Sequence, residues 1–307
     1  MDRIKLGLAG IGKIARDQHV PALAASDDFE LVATASRNGR VDGVTGYASI
    51  GEMIDACPQL EAVSLCTPPE GRFEQALTAI RAGKHVMLEK PPAATVSEAE
   101  ALATAARAAG VTLFATWHSR EAAEVDAARD WLADKRIDAV RIRWMENIRQ
   151  WHPGQDWILA AGGFGVFDPG INALSIATRI LPQPLTVLSA TMDVPENRAC
   201  PIAASVMFRT GDAQIDAQFD FLQTGQQTWH IEVETDAGLL RLTDGGSKLE
   251  LPGAPEMSGP NEEYSRLYRQ LATLIENRGF EVDLRPIQLV ADIFMVAERR
   301  VGTAFEF

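Results

Sequence analysis

The stretch Ile4-Lys5-Leu6-Gly7-Leu8-Ala9-Gly10-Ile11-Gly12-Lys13-Ile14-Ala15 leads from an apolar strand pattern into a glycine-rich turn and the start of a helix. Its second half has the G-x-G-x-x-A spacing of the dinucleotide-binding fingerprint. Glycines let the backbone turn sharply and approach a pyrophosphate at a helix N-terminus. An ordinary glycine turn is the alternative, and the flanking strand and helix favour the dinucleotide. The residues expected to contact it are Gly10, Ile11, Gly12, Lys13 and Ile14.

Strand and helix patterns alternate from this turn to about residue 118. Strands are predicted at 4–10, 30–36, 62–67, 85–88 and 111–116. The clearest helices are predicted at 73–82 and at 97–109, the latter with a capping box of Ser97 and Glu100 and an end at Gly110. Apolar strands separated by helices predict an α/β fold with a parallel, doubly wound sheet, that is, a Rossmann domain over residues 1–118.

The pattern changes after residue 120. Helices are predicted at 121–133, up to about 181, at 262–278 and at 286–299, with a loop at 151–164 and strands at 139–148, 185–193, 203–209, 213–221, 228–234 and 239–242. Glycine-containing turns between successive strands predict antiparallel pairing. Residues 119–307 are therefore expected to form a C-terminal α+β domain with a mostly antiparallel sheet.

Composition excludes several classes of partner. The chain has 29 Lys and Arg against 42 Asp and Glu, a net charge of −13, so neither nucleic acid nor an anionic membrane is an expected partner. Three widely spaced cysteines and the lack of a secretory or membrane-spanning pattern predict a reduced, cytoplasmic protein. The five histidines show no ligand spacing, and no metal is expected.

The end of the second predicted strand carries Ser36-Arg37-Asn38. NAD-binding domains usually place an acidic residue there, and it would repel a 2′-phosphate. A hydroxyl and a guanidinium can instead bind that phosphate with charge-assisted hydrogen bonds. Ser36 and Arg37 therefore favour NADP, with NAD as a second possible cofactor; the alternative is that Arg37 is a solvated loop charge.

A further motif, Glu89-Lys90-Pro91-Pro92, follows the fourth main strand. Ligands bind at the carboxyl ends of parallel strands, and the proline after Lys90 keeps this lysine extended. A partly desolvated lysine there is suited to acid–base catalysis. The alternative is a surface Glu–Lys pair before a proline turn.

The glycine motif, Thr67-Pro68-Pro69 and Glu89-Lys90-Pro91-Pro92 together resemble the Gfo/Idh/MocA superfamily of oxidoreductases. The resemblance extends over the whole chain, because that family adds an open-sheet domain to its Rossmann domain. It implies that residues 119–307 form a large open, mostly antiparallel sheet that binds the substrate and mediates oligomerisation. Other segments are similar to its bacterial L-arabinose/D-galactose 1-dehydrogenases: residues 117–120, 149–154, 167–174 and 285–290.

The resemblance implies catalytic roles for Lys90 and Asp168. The family commonly has a histidine four residues after the aspartate, and here Asn172 takes that place, so whether Asp168, Lys90 or water accepts the proton stays open. Alternatively, Asp168 is only the N-cap of a helix. The implied substrate-binding residues are His118, Glu146, Trp151, His152 and Asn172, and further cofactor contacts are Thr67, Pro68, Glu89, Lys90 and His118.

The implied function is oxidation of L-arabinose or D-galactose at C1 to the aldonolactone, by hydride transfer to NADP. A homodimer or a higher homo-oligomer is expected from the open sheet face. Two alternatives remain. One is another sugar or polyol oxidoreductase, such as an inositol dehydrogenase or a ketosugar reductase. The other is a non-catalytic regulator that senses NADP or a sugar.

Overall fold

A computed structural model describes residues 2–307, which divide into two compact units. The first unit contains the chain up to His118 together with the returning segment Glu263–Leu284. The second contains Ser119–Glu262 and Arg285–Phe307. The expected division into 1–118 and 119–307 coincides with the first boundary, but it does not anticipate the returning segment.

The first unit is built on a parallel sheet of six strands within the described residues. Its elements up to His118 are β1 (Ile4–Ala9), α1 (Val20–Ala24), β2 (Phe29–Ala35), β3 (Thr45–Tyr47), α2 (Ile50–Ala56), β4 (Ala62–Leu65), α3 (Arg72–Arg81), β5 (His85–Leu88), α4 (Val96–Ala109) and β6 (Leu113–Ala115). The strand order β3-β2-β1-β4-β5-β6 is that of a Rossmann fold, in which ligands bind where the order reverses. The expected fold class is confirmed, although β3 and α2 are absent from the sequence-based prediction.

Helix α4 begins at a different cap from the predicted one. Thr95 has an extended backbone, and its hydroxyl accepts the backbone N–H of Glu98 at 3.2 Å. The Glu98 carboxylate in turn accepts the backbone N–H of Ala94 at 3.1 Å. The prediction of Ser97 and Glu100 is therefore wrong, because Thr95 and Glu98 have the same spacing and stand at the actual start of the helix.

The second unit contains a mixed sheet of nine strands within residues 2–307. Its elements up to residue 262 are α5 (Val125–Leu132), β7 (Ile137–Met145), α6 (Ile148–Trp151), α7 (Phe167–Ile180), β8 (Leu185–Pro195), β9 (Ala203–Thr210), β10 (Ala213–Asp220), β11 (Thr228–Thr235), β12 (Gly238–Thr243), β13 (Lys248–Glu250) and β14 (Met257–Ser258). The predicted loop at 151–164 thus begins at the end of α6, and it contains a 3-10 turn at Asp156–Leu159.

The last two helices belong to different units. Helix α8 (Glu263–Glu276) lies in the first unit, whereas α9 (Arg285–Val296) and β15 (Glu298–Gly302) lie in the second. The helix predicted at 286–299 therefore ends early, because β15 pairs in parallel with β8. In the first unit, α8 buries four side chains in one cluster with Leu6, Phe29 and Met87 of the parallel sheet; they are Tyr264, Leu267, Tyr268 and Leu271.

The order of the second sheet is β14-β13-β12-β11-β7-β10-β9-β8-β15. Neighbouring strands are antiparallel except for β7 with β10 and β8 with β15. Along β7, Val140 and Ile142 are buried while Arg141 between them is exposed, as expected when one face is covered. Helix α7 packs so closely on β10 that a Cβ on Gly170 would lie 2.7 Å from Phe219, so this position requires glycine.

Candidate functional site

The glycine turn after β1 is closed on one side and open on the other. Gly10 has a φ of +87°, and a Cβ there would lie 2.6 Å from the backbone nitrogen of Thr67, so glycine is required. At Gly12 an added Cβ would meet no atom of residues 2–307 within 4 Å. The helical run over residues 13–24 starts directly after this open point. Exposed backbone at a helix N-terminus is suited to binding a phosphate group.

The other side chains of the turn divide by burial. Ile11 is buried and packs with Leu8 beneath the turn. Lys13 and Ile14 are exposed, and Lys13 forms an ion pair with Asp17. Ile11 thus supports the turn, while Lys13 and Ile14 form its accessible surface.

The loop after β2 is held in shape by its own polar groups. The Ser36 hydroxyl accepts the backbone N–H of Gly39 at 3.0 Å. Arg40 donates to the carbonyl oxygens of Ser36 at 3.0 Å and of Gly39 at 2.7 Å. Arg37 lies exposed within this loop, where its guanidinium is accessible to an anionic ligand.

One buried guanidinium connects the turns after β4 and β5. Arg72 is 2% exposed and donates to the carbonyl oxygens of Thr67, Glu89 and Pro91. Pro68, in the first turn, is exposed. The turn that carries Lys90 is therefore held at a fixed place beside the turn that carries Thr67.

The Glu89 carboxylate is buried, with hydrogen-bond partners on both oxygens. Oε1 lies 3.0 Å from His19 Nε2 and accepts the Tyr264 hydroxyl at 2.6 Å. Oε2 accepts the backbone N–H of Lys90 at 2.8 Å. Burial opposes ionisation of Glu89, but the hydrogen bonds from His19 and Tyr264 outweigh it and hold the pKa of this carboxyl well below its usual range.

His19 is the partner of Glu89 and is itself fully buried. Its Nδ1 lies 2.7 Å from the Tyr268 hydroxyl. Burial alone would lower the pKa of His19, but the acidic groups around it, Cys66, Tyr268 and Glu89, raise that pKa well above its ordinary value. Glu89 and His19 therefore form a charged pair inside the first unit.

His118 follows β6 and contacts the first turn of α8. Its Nδ1 lies 2.6 Å from a carboxylate oxygen of Glu263, and its ring stacks on Tyr264 with centroids 5.6 Å apart. The side chain is 18% exposed, which leaves part of the ring accessible to a ligand.

In the second unit, a tryptophan, a carboxylate and a histidine form a hydrogen-bonded chain. Glu146 directly follows β7 and is buried. Its Oε1 lies 2.9 Å from His152 Nε2, and its Oε2 accepts the indole N–H of Trp229 at 2.9 Å. Because an ionised carboxylate only accepts hydrogen bonds, we assign the proton of a neutral His152 ring to Nε2, which leaves Nδ1 as an acceptor.

Asp168 lies on the Nδ1 side of His152. Helix α7 begins at Phe167 with Val166 as its N-cap, so Asp168 is not a cap. The distance from His152 Nδ1 to Asp168 Oδ2 is 4.0 Å, which is too long for a direct hydrogen bond, but one oxygen atom about 2.8 Å from each would bridge them. Asn172 lies one turn further along the same face of α7.

Aromatic rings lie beside this polar group. Trp151 is the last residue of α6, and its ring centroid is 5.0 Å from that of Trp229, which also stacks on Trp144 at 6.2 Å. Trp229 is not among the site residues predicted from the sequence. Its signal is the strand register, which places Trp229 of β11 opposite Trp144 of β7.

The predicted site residues thus fall into two groups. The predicted cofactor-binding residues, with Lys90 and His118, lie in the first unit at the carboxyl ends of its strands. Glu146, His152 and Asp168 lie together in the second unit, with Trp151 beside Trp229. Within residues 2–307, no group of three or more His, Cys, Asp or Glu side chains is arranged to hold a metal ion. No helix of the described chain has the length and apolar character needed to cross a membrane.

Known proteins share this architecture. The profile of the Gfo/Idh/MocA oxidoreductase family, with an NAD-binding Rossmann fold, matches residues 4–117. Galactose 1-dehydrogenase from Pseudomonas fluorescens is 42% identical over 318 residues, covering 99% of each chain. The crystal structure of D-galactose-1-dehydrogenase from Rhizobium etli is 50% identical, with a TM-score of 0.94 over 100% of this chain and 99% of that one. A 3-ketoreductase from Actinomadura kijaniata, solved with NADP and TDP-benzene, shares the fold at 20% identity, with a TM-score of 0.85 over 99% and 100% of the two chains.

The Rossmann sheet and the mixed, largely antiparallel second sheet, together with these matches, make the chain an oxidoreductase of a family with an NAD-binding Rossmann fold. The chain belongs to the Gfo/Idh/MocA family, which confirms the resemblance inferred from its motifs. The open backbone at Gly12 and the exposed Arg37 fit the phosphate groups of such a cofactor.

Proposed function

We propose that the protein is a cytoplasmic aldose 1-dehydrogenase that oxidises D-galactose and L-arabinose to their aldonolactones with NADP. The observation that carries this proposal is the chain Trp229–Glu146–His152 with Asp168 beside it in the second unit. Buried acceptors next to tryptophan rings provide both the hydrogen bonds and the flat apolar surface that sugar rings require. The two similar proteins at 42% and 50% identity are named for galactose oxidation.

The bound nicotinamide cofactor supplies the acceptor for the hydride that leaves C1 of the pyranose. As the C1–H bond breaks, the anomeric hydroxyl must lose its proton so that the lactone carbonyl forms. We assign that proton to Lys90 and Asp168, either directly or through a water molecule. His118 and Lys90 are assigned to the nicotinamide end of the cofactor.

The remaining polar groups of the second unit orient the sugar. Asp168 and Asn172 share one face of α7, so they can bind neighbouring hydroxyls. Asn172 replaces the histidine that is common in the family, and its amide both donates and accepts without titrating. Glu146 fixes the ring of His152, so that Nδ1 of the neutral ring presents a lone pair to a sugar hydroxyl.

Sugar specificity follows from shared stereochemistry. D-galactose and L-arabinose have the same hydroxyl arrangement at C2, C3 and C4 of the pyranose, whereas D-glucose has the C4 hydroxyl inverted. An inverted hydroxyl leaves a buried polar group unmatched, at a cost of about 1–3 kcal/mol. We therefore expect D-glucose to have a kcat/KM roughly 5–150-fold lower than that of the better of the other two sugars.

The test is an absorbance assay at 340 nm with the three sugars, each with NADP⁺ and with NAD⁺. Turnover of D-galactose or L-arabinose, with D-glucose the poorest substrate, supports the proposal. D-glucose as the best of the three overturns the pocket assignment. Sugar and NADP binding without any turnover identifies a sensor instead of an enzyme.

The preference for NADP rests on Ser36 and Arg37. Arg37→Ala removes a charge-assisted contact to the 2′-phosphate, so it should weaken NADP binding by about 2 kcal/mol and leave NAD binding nearly unchanged. Arg81→Ala, which removes an exposed arginine of α3, serves as the control. Equal losses for both cofactors contradict the assignment.

We also propose that the second sheet mediates a homodimer. Its strands alternate buried side chains with partly or fully exposed ones that form charge pairs, among them Arg141 with Glu234 at 2.6 Å and Arg143 with Asp216 at 2.5 Å. A two-fold symmetric contact can use such a face on both subunits. Light scattering during size-exclusion chromatography tests this assembly, and a monomer at micromolar concentration contradicts it.

A further inference from the structure

The peptide group between Glu89 and Lys90 is held from both ends by buried side chains. Its carbonyl oxygen accepts a hydrogen bond from Arg72, and its N–H donates to Glu89 Oε2 at 2.8 Å. Arg72 and Glu89 are 2% and 3% exposed. A planar peptide group whose donor and acceptor both form hydrogen bonds has little freedom to rotate. The position of the Lys90 Cα is therefore fixed.

The Glu89 carboxylate is in turn held by hydrogen bonds with two buried side chains. His19 Nε2 and the Tyr264 hydroxyl both lie within hydrogen-bond distance of Oε1, at 3.0 and 2.6 Å. The Tyr268 hydroxyl lies 2.7 Å from the other nitrogen of His19. Tyr264 and Tyr268 are one turn apart on α8, which brings both hydroxyls to the same region. The polar atoms of this group are therefore satisfied within the first unit.

His19 reaches Glu89 from an irregular part of its helix. It is the last residue of a π-helical turn, Ala15–His19, directly after the glycine motif. Such turns are rare and are found frequently at functional positions. Pro21, which lies in the next helical turn, has no N–H to donate, and this favours an irregular hydrogen-bond pattern before it. The turn links the helix after the glycine motif to the strand end that carries Lys90.

We propose that Glu89, held by His19 and Tyr264, is a positioning residue for Lys90. The carboxylate fixes the backbone of the lysine, so that its amine reaches the anomeric hydroxyl from a constant place. This inference rests on the proposed function and deepens it. The family resemblance implies that Glu89 contacts the cofactor, and the hydrogen bonds to both of its oxygens within the first unit suit a positioning role. Apolar residues of similar volume stabilise a core as well as a buried ion pair does, and the pair adds a defined orientation.

Kinetics of two variants test the proposal. Glu89→Gln replaces one acceptor oxygen with an amide, so it cannot accept from His19, Tyr264 and Lys90 together. We expect kcat for D-galactose to fall about 10–100-fold, with the sugar KM and the NADPH Kd within about threefold of wild type. Tyr264→Phe removes one hydrogen bond and should lower kcat about 3–10-fold, so it provides the test if Glu89→Gln does not fold. An unchanged kcat in both variants overturns the proposal.

His85→Gln is the matched control. His85 begins β5, the strand that leads to Glu89, but it lies at the opposite edge of the sheet, where its Nδ1 accepts the backbone N–H of Thr112 at 3.0 Å. A general loss of stability in this strand would affect both variants. We expect kcat of His85→Gln to stay within about twofold of wild type, because the held peptide group is untouched.

A double variant separates positioning from a general structural role. In a Lys90→Ala background, adding Glu89→Gln should lower kcat by no more than about twofold, because the side chain that Glu89 positions is already gone. If the two effects multiply instead, Glu89 acts independently of Lys90 and the proposal is overturned.

Hydrogen exchange measures the same contact without turnover. Pro91 and Pro92 carry no N–H, so a peptide ending at residue 92 reports on the amides up to Lys90. Glu89→Gln should speed exchange of the Lys90 amide at least about tenfold, since its acceptor is lost. If the wild type oxidises no aldose, the proposed function fails, and the exchange experiment still decides the positioning role. Exchange at the wild-type rate overturns that role.

Discussion

Two glutamate–histidine pairs in this protein have nearly the same length and different surroundings. In the first unit, Glu89 and His19 are 3.0 Å apart, and the histidine side chain is 0% exposed. In the second unit, Glu146 and His152 are 2.9 Å apart, and the histidine is 18% exposed. The second ring nitrogen of His19 contacts a tyrosine hydroxyl at 2.7 Å, whereas that of His152 lies 4.0 Å from Asp168.

The distance within a pair therefore does not reveal its role. Where the protein satisfies both ring nitrogens and excludes water, as at His19, the pair holds backbone in place. Where one nitrogen lies near the surface beside a second acid, as at His152, the pair can receive a ligand hydroxyl. The partner of the second nitrogen and the exposure of the ring separate the two cases.

The largest effect is expected at Asp168, the acid that distinguishes the second pair. Asp168→Asn keeps the shape and a hydrogen-bonding group but removes the charge, so kcat should fall by about two to four powers of ten while sugar binding changes less. Steady-state kinetics with the best sugar measures both. Asp156→Asn, at an exposed carboxylate that pairs with Arg198 in the same unit, should behave like wild type. Wild-type turnover in Asp168→Asn would remove Asp168 from the reaction.

The next largest effect is on the free energy of unfolding, which should differ clearly between the two glutamate–histidine pairs. His19→Ala leaves the Glu89 charge buried without its main partner, so the free energy of unfolding should fall by about 3–5 kcal/mol. His152→Ala should cost only about 1 kcal/mol, because water can replace a partly exposed ring next to Glu146. Urea unfolding followed by circular dichroism measures both values. Similar losses in the two variants would show that the pairs are energetically equivalent.

The pairs should also differ in which kinetic constant changes. His152→Gln alters a group that contacts the sugar, so kcat/KM for D-galactose should fall about 10–100-fold, with a clear rise in KM. His19→Gln acts through Glu89, so its effect should lie in kcat with KM nearly constant. Initial rates over a wide range of sugar concentrations distinguish these results. A rise in KM for His19→Gln would contradict the separation.

The smallest effect is the pH dependence of the buried pair. Despite burial, hydrogen bonds hold the pKa of Glu89 low, so its stabilisation is present above its unfolded value near pH 4.3 and is lost as pH falls through the folded value. Burial lowers the pKa of His19, but its acidic neighbours raise this pKa by more, so that it lies above its ordinary value. The stabilisation of the fold by His19 is therefore present below about pH 6.5 and is lost as pH rises through the folded value. Both contributions are therefore complete between about pH 4.3 and 6.5.

The difference in unfolding free energy between wild type and Glu89→Gln should consequently be largest near pH 5.5, and it should shrink towards more acid and more alkaline pH. Urea unfolding in buffers from pH 3.5 to 9 measures it. A difference that does not vary with pH would mean that the pair carries no charge.

The parallel sheet of the first unit can be predicted from the sequence because the patterns that indicate it are local. An apolar strand, a glycine turn and a helix occupy adjacent residues, and parallel strands bring Gly10 and Lys90 to the same sheet edge. The hydrogen bonds of Glu89 with His19 and Tyr264, next to Lys90, cannot be predicted in this way. His19 and Glu89 are 70 residues apart, and Tyr264 comes from a helix 175 residues after Glu89, so no local pattern joins them.

In the second unit, too, local sequence patterns do not predict which side chains lie together, although these residues are closer in the sequence. The resemblance to a known family identifies Glu146, His152 and Asp168, but neither composition nor periodicity places His152 between the two acids. Trp229 becomes visible only when β11 is aligned opposite β7. A register shift of one residue would turn its indole to the other face of the sheet, and no short motif in the sequence indicates which residue of β7 lies opposite Trp229.

The return of Glu263–Leu284 to the first unit determines when this unit can complete its folding during synthesis. The α8 side chains that cover one face of the parallel sheet, Tyr264, Leu267, Tyr268 and Leu271, contribute roughly 1.5–3 kcal/mol each, against a domain stability of about 5–15 kcal/mol. A ribosome adding about 5–20 residues per second needs roughly 8–33 s for the 284 − 118 = 166 residues that separate His118 from Leu284. During that interval the apolar surface of Leu6, Phe29 and Met87 lacks the side chains of α8 that cover it, so the part that is made first completes its folding late.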